Sequence, residues 1–356
     1  MGHWIPRAAL GLMAATALTG CGKAGTASAD TAASPKQVCD RNCLIKLTDD
    51  YVASFARHAA AGAHLAGNAA IVENTKPIKP GEGLWKDVTA PATAFQVHVP
   101  DPVNETAGWL GMVQRGGRPT MVALRLKLDA KGNVAEAEHL YSEVKGPALN
   151  NIATLRPGLS GDVPAANRLG HDKLIAIGAS YYDALDDNDG TRMPFAADCE
   201  RHENGMITAG AKSGGPPGGK PQAHPTARDC AGQISSGVFQ YIKTIGNRRV
   251  FAADPQTGLV MGLSHFHHPM DWTSYPVKAA DGTVVETRRD EGLFKNLKPF
   301  DLPAAHIFKV GADGKVHEIE AMGFTAPLNT PSGWENAAAP ANINAPVSPA
   351  GPAQKR

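Results

Sequence analysis

The chain has 356 residues, 42% hydrophobic and 6% aromatic, enough for two domains of ordinary size with cores of their own. Lys and Arg number 35 against 34 Asp and Glu, a formal net charge of +1 with no basic block, which argues against nucleic acid as a partner. This composition fits a soluble globular protein and not a membrane bundle.

In chain order, the first segment reads as an export signal over 1–20: Arg7 supplies the positive start and Ala8 to Leu18 a short apolar run. Eleven apolar residues are too few to span a bilayer as a helix. The run ends in Leu18-Thr19-Gly20-Cys21, which resembles a bacterial lipobox and implies cleavage before Cys21 with acylation of that cysteine. Gly22 follows in place of the aspartate of inner-membrane retention, so the expected address is the outer membrane, facing periplasm or cell surface. An ordinary signal peptide with a chance cysteine is the alternative. Residues 21–38, rich in Ala, Ser, Thr and Gly, read as a flexible tether.

The remainder repeats itself. Leu47, Tyr51 and Phe55 share a helix face by i, i+4 spacing, as do Ile177, Tyr181 and Leu185. Glu73-Asn74 follows the first tyrosine by 22 positions and Glu203-Asn204 the second by the same interval. A strand hairpin closes each copy, turning at Ala130-Lys131-Gly132-Asn133 and at Ala312-Asp313-Gly314-Lys315. Matched order and spacing predict a duplicated α+β unit, with helices packed on a curved antiparallel sheet. The first copy spans 39–144 and the second 168–325, joined by a Gly/Pro-punctuated linker over 145–167. The second adds a hairpin, Arg249–Ala253 against Leu259–His267, and a Gly/Pro insertion over 205–232. Residues 336–356, rich in Ala, Pro and Asn, read as a disordered tail.

With Cys21 set aside, Cys39, Cys43, Cys199 and Cys230 are an even set in an exported chain, which predicts disulfides. Pairing within each copy gives Cys39–Cys43 and Cys199–Cys230, the second worth roughly 3–4 kcal/mol by loop entropy. A zinc site using all four is the alternative, though no CxxC spacing supports it.

The pattern Tyr181 to Leu185 to Asp189, then Phe195-Ala-Ala-Asp198, Glu203, and Phe308 to Glu320 resembles the SnoaL-like superfamily, which includes ketosteroid isomerase and nuclear transport factor two. Closer still is an uncharacterised group of secreted tandem SnoaL-like proteins sharing Cys39-Asp-Arg-Asn-Cys43, Gly83-Leu84-Trp85 and Pro331-Ser-Gly-Trp334. The resemblance implies two small cones paired by sheet-to-sheet contact, here an internal pseudo-dimer in a monomer. It also places the ketosteroid isomerase oxyanion tyrosine on Tyr181, its carboxylate base on Glu203 and its second oxyanion donor on His306. In the first copy the same places hold Tyr51, Glu73 and Leu124, and a leucine donates no hydrogen bond. Chemistry is therefore expected in the second copy.

Each residue has a plainer alternative: a solvent-facing or turn-capping Glu203, a core Tyr181, a satisfied buried His306. In Ser264-His265-Phe266-His267-His268-Pro269, His265 and His267 share a strand face with Met261 and Leu263, so both imidazoles are expected in the cavity, His267 catalytic, His265 and His268 contacting substrate. Trp272 and Asn204 complete the expected substrate contacts, with Tyr275 beside Trp272 at the mouth. The leading expectation is a cofactor-independent isomerase or lyase in which Glu203 abstracts a proton from an organic substrate, aromatic, terpenoid or glycan-derived. The alternatives are a non-catalytic binding module for a hydrophobic ligand or envelope partner, and a zinc hydrolase using His265 and His267. Membrane contact is expected through the N-terminal lipid alone.

Overall fold

A computed structural model describes residues 37–210, 229–279 and 281–335. The predicted signal, Cys21, most of the tether, the core of the Gly/Pro insertion and the tail lie outside the described residues.

Helix α1 (Arg41–Ala56) starts where Asp40 accepts the Cys43 N–H at 2.8 Å, a side-chain cap on an otherwise unpaired donor. Strands β1 (Leu65–Glu73) and β2 (Lys76–Ile78) follow, then a one-turn helix α2 (Leu84–Asp87) and strands β3 (Val88–Ala90), β4 (Gln96–Asp101), β5 (Thr106–Arg115), β6 (Arg118–Leu128) and β7 (Val134–Glu143). After α3 (Ala148–Asn151) comes α4 (His171–Asp187), which ends on Asn188 in the left-handed conformation. The second half continues with β8 (Phe195–Glu203), β9 (Met206–Ala209), α5 (Cys230–Ser235), β10 (Thr244–Asp254) and β11 (Leu259–His268). A separate hairpin, β12 (Ser274–Lys278) and β13 (Val284–Arg288), precedes β14 (Phe300–Val310), β15 (Val316–Gly323) and the short β16 (Ala326–Pro327).

Two seven-stranded sheets result, with corresponding orders: β2-β1-β7-β6-β5-β3 with β4 on β5, and β9-β8-β15-β14-β11-β10 with β16 on β14. In each, the strand after the long helix pairs parallel with the last long strand. The same irregularity recurs there. Leu65 to Ala70 faces Val134 to Glu136, and Phe195 to Glu200 faces Val316 to Glu318, so both first strands bulge at one place and curl the sheet.

Each long helix lays its apolar face on its own sheet, α1 through Leu44, Tyr51 and Phe55 and α4 through Leu174, Tyr181 and Leu185. A third core lies between the sheets, where Val97, Leu110 and Met121 meet Phe251, Met261 and Ile307. Polar ties cross the same boundary. Arg249 grips both oxygens of Glu138, Arg41 holds Asp254 at 3.0 Å, and His171 meets Asp101 at 2.8 Å.

Both disulfides form as paired in the sequence, Cys39–Cys43 and Cys199–Cys230. The four-cysteine zinc alternative falls, since each thiol is consumed by its partner. The segment 145–167 is more than a connector: Ile152, Leu159 and Val163 are buried, and Arg156 bonds Glu318 and Glu320 of β15, the latter at 2.7 Å. Burial pushes the Glu320 carboxyl up to about 7 against the pull of Arg156. Among the described residues no helix is long and apolar enough to cross a membrane.

Candidate active site

Alternation along β8 places Arg201 and Glu203 on one face. Arg201 is 7% exposed and fully engaged: Nε donates to the Tyr181 hydroxyl at 2.9 Å, Nη1 to Thr208 Oγ1 at 2.7 Å and Nη2 to Glu203 Oε2 at 3.0 Å. Burial opposes its charge, but the Tyr181 oxygen and the Glu203 carboxylate outweigh that and hold the guanidinium protonated. The Glu203 side chain remains 36% exposed, at the rim.

Behind the rim is a cavity of about 40 Å³ lined by Arg201, Glu203, Tyr241, Phe266, His268 and His306, with Leu185, Phe239, Ile242 and Leu302 among the apolar walls. His306 comes from β14, and its Nδ1 lies 3.3 Å from the Tyr182 hydroxyl. Its ring stands 5.2 Å from that of Tyr181, which lies behind the cavity wall. Burial, with Arg201's charge adding, pushes His306 down to about 3, so its imidazole is neutral at ordinary pH. His268 is 2% exposed and stacks on Phe300 at 4.2 Å; burial lowers it to about 4, and its Nδ1 has no protein partner. An unpartnered buried ring nitrogen on a cavity wall is a place for a polar ligand atom or a water.

Thus Glu203, His306 and His268 meet at one cavity, with Tyr181 linked through Arg201. The other expected contacts lie elsewhere. His265 and His267 occupy the opposite face of β11, the face of Met261 and Leu263, which meets the first sheet and not the cavity. Phe266 and His268 point inward instead, so the alternation holds but the cavity lies on the other side. Asn204, with φ at 48°, spends its side chain on Gly323, donating to its carbonyl at 3.1 Å and accepting its N–H at 3.2 Å. Asn74 makes the same clamp to Tyr141, so this recurrence is a turn device. Trp272 packs on Tyr275 and Phe294, away from the lining. Among the described residues no group of three or more His, Cys, Asp or Glu side chains is placed to hold a metal ion, so the zinc-hydrolase alternative has no ligand set.

The first sheet handles the same glutamate differently. Tyr51 Oη meets His139 Nε2 at 2.8 Å, His139 Nδ1 meets Glu73 Oε2 at 3.0 Å, and the Leu84 N–H donates to that oxygen at 3.0 Å. All three side chains are buried, and Trp85 packs over them at ring distances of 5.4–5.5 Å. Where Arg201 stands in the second sheet the first has Ile71, so the buried carboxylate is matched by a histidine on the neighbouring strand. Arg201 and Tyr241 escaped the sequence reading. The signal for Arg201 was present, a cation two residues before Glu203 on the same strand face; Tyr241 reaches the cavity from an irregular segment with no periodicity to follow.

Residues 167–323 match the family model of a domain of unknown function, DUF8021. No curated protein matches the chain. Among solved structures, the chain is similar to an NTF2-like protein of unknown function from Cytophaga hutchinsonii, at 10% identity over 30% of this chain and 95% of that one, with a TM-score of 0.24. It is also similar to a candidate ketosteroid isomerase from Kribbella flavida, at 15% identity over 36% of this chain and 94% of that one, with a TM-score of 0.25.

Proposed function

We propose that this is an exported, lipid-anchored protein of two SnoaL-like cones packed as an internal pseudo-dimer, whose second cone is an acid–base site for a small carbonyl compound. The observation that carries the reading is the convergence of a rim carboxylate, a buried guanidinium and two neutral imidazoles on one cavity. In this reading Glu203 takes a proton from carbon beside a carbonyl, and the electron pair moves onto the carbonyl oxygen. That oxygen is met by His306, whose Nε2–H donates in the tautomer where Nδ1 accepts from Tyr182, with the positive charge of the Arg201 guanidinium beside it. Tyr181 acts through Arg201, as a positioning residue.

Size narrows the substrate. About 40 Å³ admits roughly three water molecules, so the reacting end is a few atoms across. A terpenoid or steroid nucleus requires the wall of Phe239, Tyr241 and Phe266 to move aside. Small keto and hydroxy acids and uronic-acid derivatives fit the chemistry better. One observation favours the binding-module reading: Glu203 Oε2 already accepts from Arg201 at 3.0 Å, so the carboxylate is committed to a partner within the protein.

A screen of the soluble chain starting after Cys21 tests the proposal, with products read by mass spectrometry and binding by thermal shift. Turnover in the wild type, lost by at least 10²-fold in Glu203→Gln with binding retained, is the expected result. Binding with no turnover in either protein moves the assignment to a carrier.

A further inference from the structure

The histidines that the cavity leaves out have a site of their own. His267 Nδ1 meets Asp301 Oδ1 at 2.7 Å, a hydrogen bond that fixes the ring and leaves Nε2 as its free nitrogen. Asp301 is buried and held in turn, its other oxygen accepting the Thr330 N–H at 2.8 Å. His267 faces an open groove of about 300 Å³, lined also by Thr244, Gly246, Asn247, His265 and Asp301.

Register explains the grouping. Thr244 pairs with His267 across β10 and β11, and His267 with Asp301 across β11 and β14, so a hydroxyl, an imidazole and a carboxylate form one row across three strands. Beside the row, β10 slips register between Gly246 and Arg249, and Asn247 takes a φ of 47°. Such bulges re-aim backbone and side chains at the edge of a sheet. His265, two residues before His267 on the same face, has a buried Nε2 with no protein partner, and burial lowers its proton affinity. His265 is part of the groove lining, and a neutral ring whose nitrogen has no protein partner can donate to an oxygen that gains charge.

We infer that this groove is a second acid–base site, in which Asp301-oriented His267 is the general base for hydrolysis of a small neutral ester. His267 Nε2 removes a proton from a water held between it and Thr244, and the water oxygen bonds to the ester carbon. The carbonyl oxygen takes the charge against His265 and Asn247. On collapse the carbon–oxygen bond to the leaving group breaks, and the imidazolium returns its proton to the departing alcohol. Acid and alcohol are the products, and no co-reactant is consumed. The inference is independent of the cone, which lies on the other face of β11.

The test is hydrolysis of 4-nitrophenyl acetate by the soluble chain, measured beside N-acetylhistidine at equal concentration. The wild type should exceed the free imidazole by about 10²-fold, the range of a positioned general base. His267→Gln should lose that advantage with its thermal midpoint unchanged, Asp301→Asn should fall about tenfold, and the surface control His98→Gln should be unaffected. A wild-type rate no higher than N-acetylhistidine, or a His267→Gln rate equal to wild type, overturns the inference. Because Asp301 also anchors Thr330, the His267 variant, which keeps that bond, decides the matter.

Discussion

His306 and Leu124 occupy the same place in the two sheets, and their cross-strand partners show what changed. Leu124 faces His139, whereas His306 faces Ala321. One histidine therefore sits on either side of the same strand pair, and with it moves the partner of the helix tyrosine. In the first sheet the histidine bridges Tyr51 to Glu73; in the second it is held by Tyr182, and Arg201 takes the glutamate. This difference has a pH consequence. His306 titrates near 3 when folded and near 6.5 when unfolded, so between those values the unfolded chain binds the extra proton and stability falls as pH drops. The full penalty is on the order of 5 kcal/mol. Replacing His306 with the leucine of the first sheet removes the titrating group. Urea unfolding of His306→Leu between pH 7 and 4 should show a shallower loss of stability than wild type, and parallel slopes would refute the buried neutral imidazole.

At the level of elements, the repeat was legible because the helix period of 3.6 and the turn residues are written locally. Tyr51 and Tyr181, Gly132 and Gly314, Asn74 and Asn204 fall at matched spacings, and they lie in two halves whose sheets have corresponding strand orders. Which face of β11 meets the cavity was not legible. Residues 259–264 are buried on both faces, one against α4 and one against the first sheet, so hydrophobicity marks neither side as inner. The pairing that puts His139 beside Glu73 was hidden for a related reason: it joins strands 66 residues apart in parallel, and no local spacing encodes it. The Cys199–Cys230 bridge, by contrast, was readable from the even count together with the repeat, which puts both cysteines in one copy. It ties β8, carrying Arg201 and Glu203, to α5, whose Gln233 donates to the Thr208 carbonyl at 2.7 Å. Closing a loop with a sequence separation of 31 is worth about 3–4 kcal/mol. Cys199→Ser with Cys230→Ser should lower unfolding free energy by that amount, measured by urea titration, while Cys39→Ser with Cys43→Ser, a separation of 4, should cost about half as much or less.

For the whole molecule, the decisive surface is the one between the sheets. Its apolar core joins residues from β4, β5 and β6 to residues from β10, β11 and β14, and neither sheet covers that face alone. Within it Arg249 and Glu138 form a bidentate pair, both side chains under 10% exposed, and Trp334 adds an N–H to Glu138 at 2.9 Å. Burial raises the carboxyl of Glu138, but Arg249 outweighs it and keeps the group ionised. Such a pair gains little over apolar packing when whole, yet removing one partner strands a charge in a dry place. Arg249→Met alone should therefore destabilise the chain by about 3–5 kcal/mol, with Glu138 left only the Trp334 N–H and the charge of Arg125. Adding Glu138→Met should recover most of that loss, because the two methionines fill the space without a charge to desolvate. The coupling energy from this double-mutant cycle measures how firmly the halves are joined. If they unfold as one unit, fluorescence of Trp109 in the first sheet and of Trp272, in the connection between β11 and β12 of the second half, should report the same urea midpoint in every variant. Separate midpoints in Arg249→Met would mean that each sheet with its helix holds its fold without the other, and that this contact positions the second cavity without stabilising it.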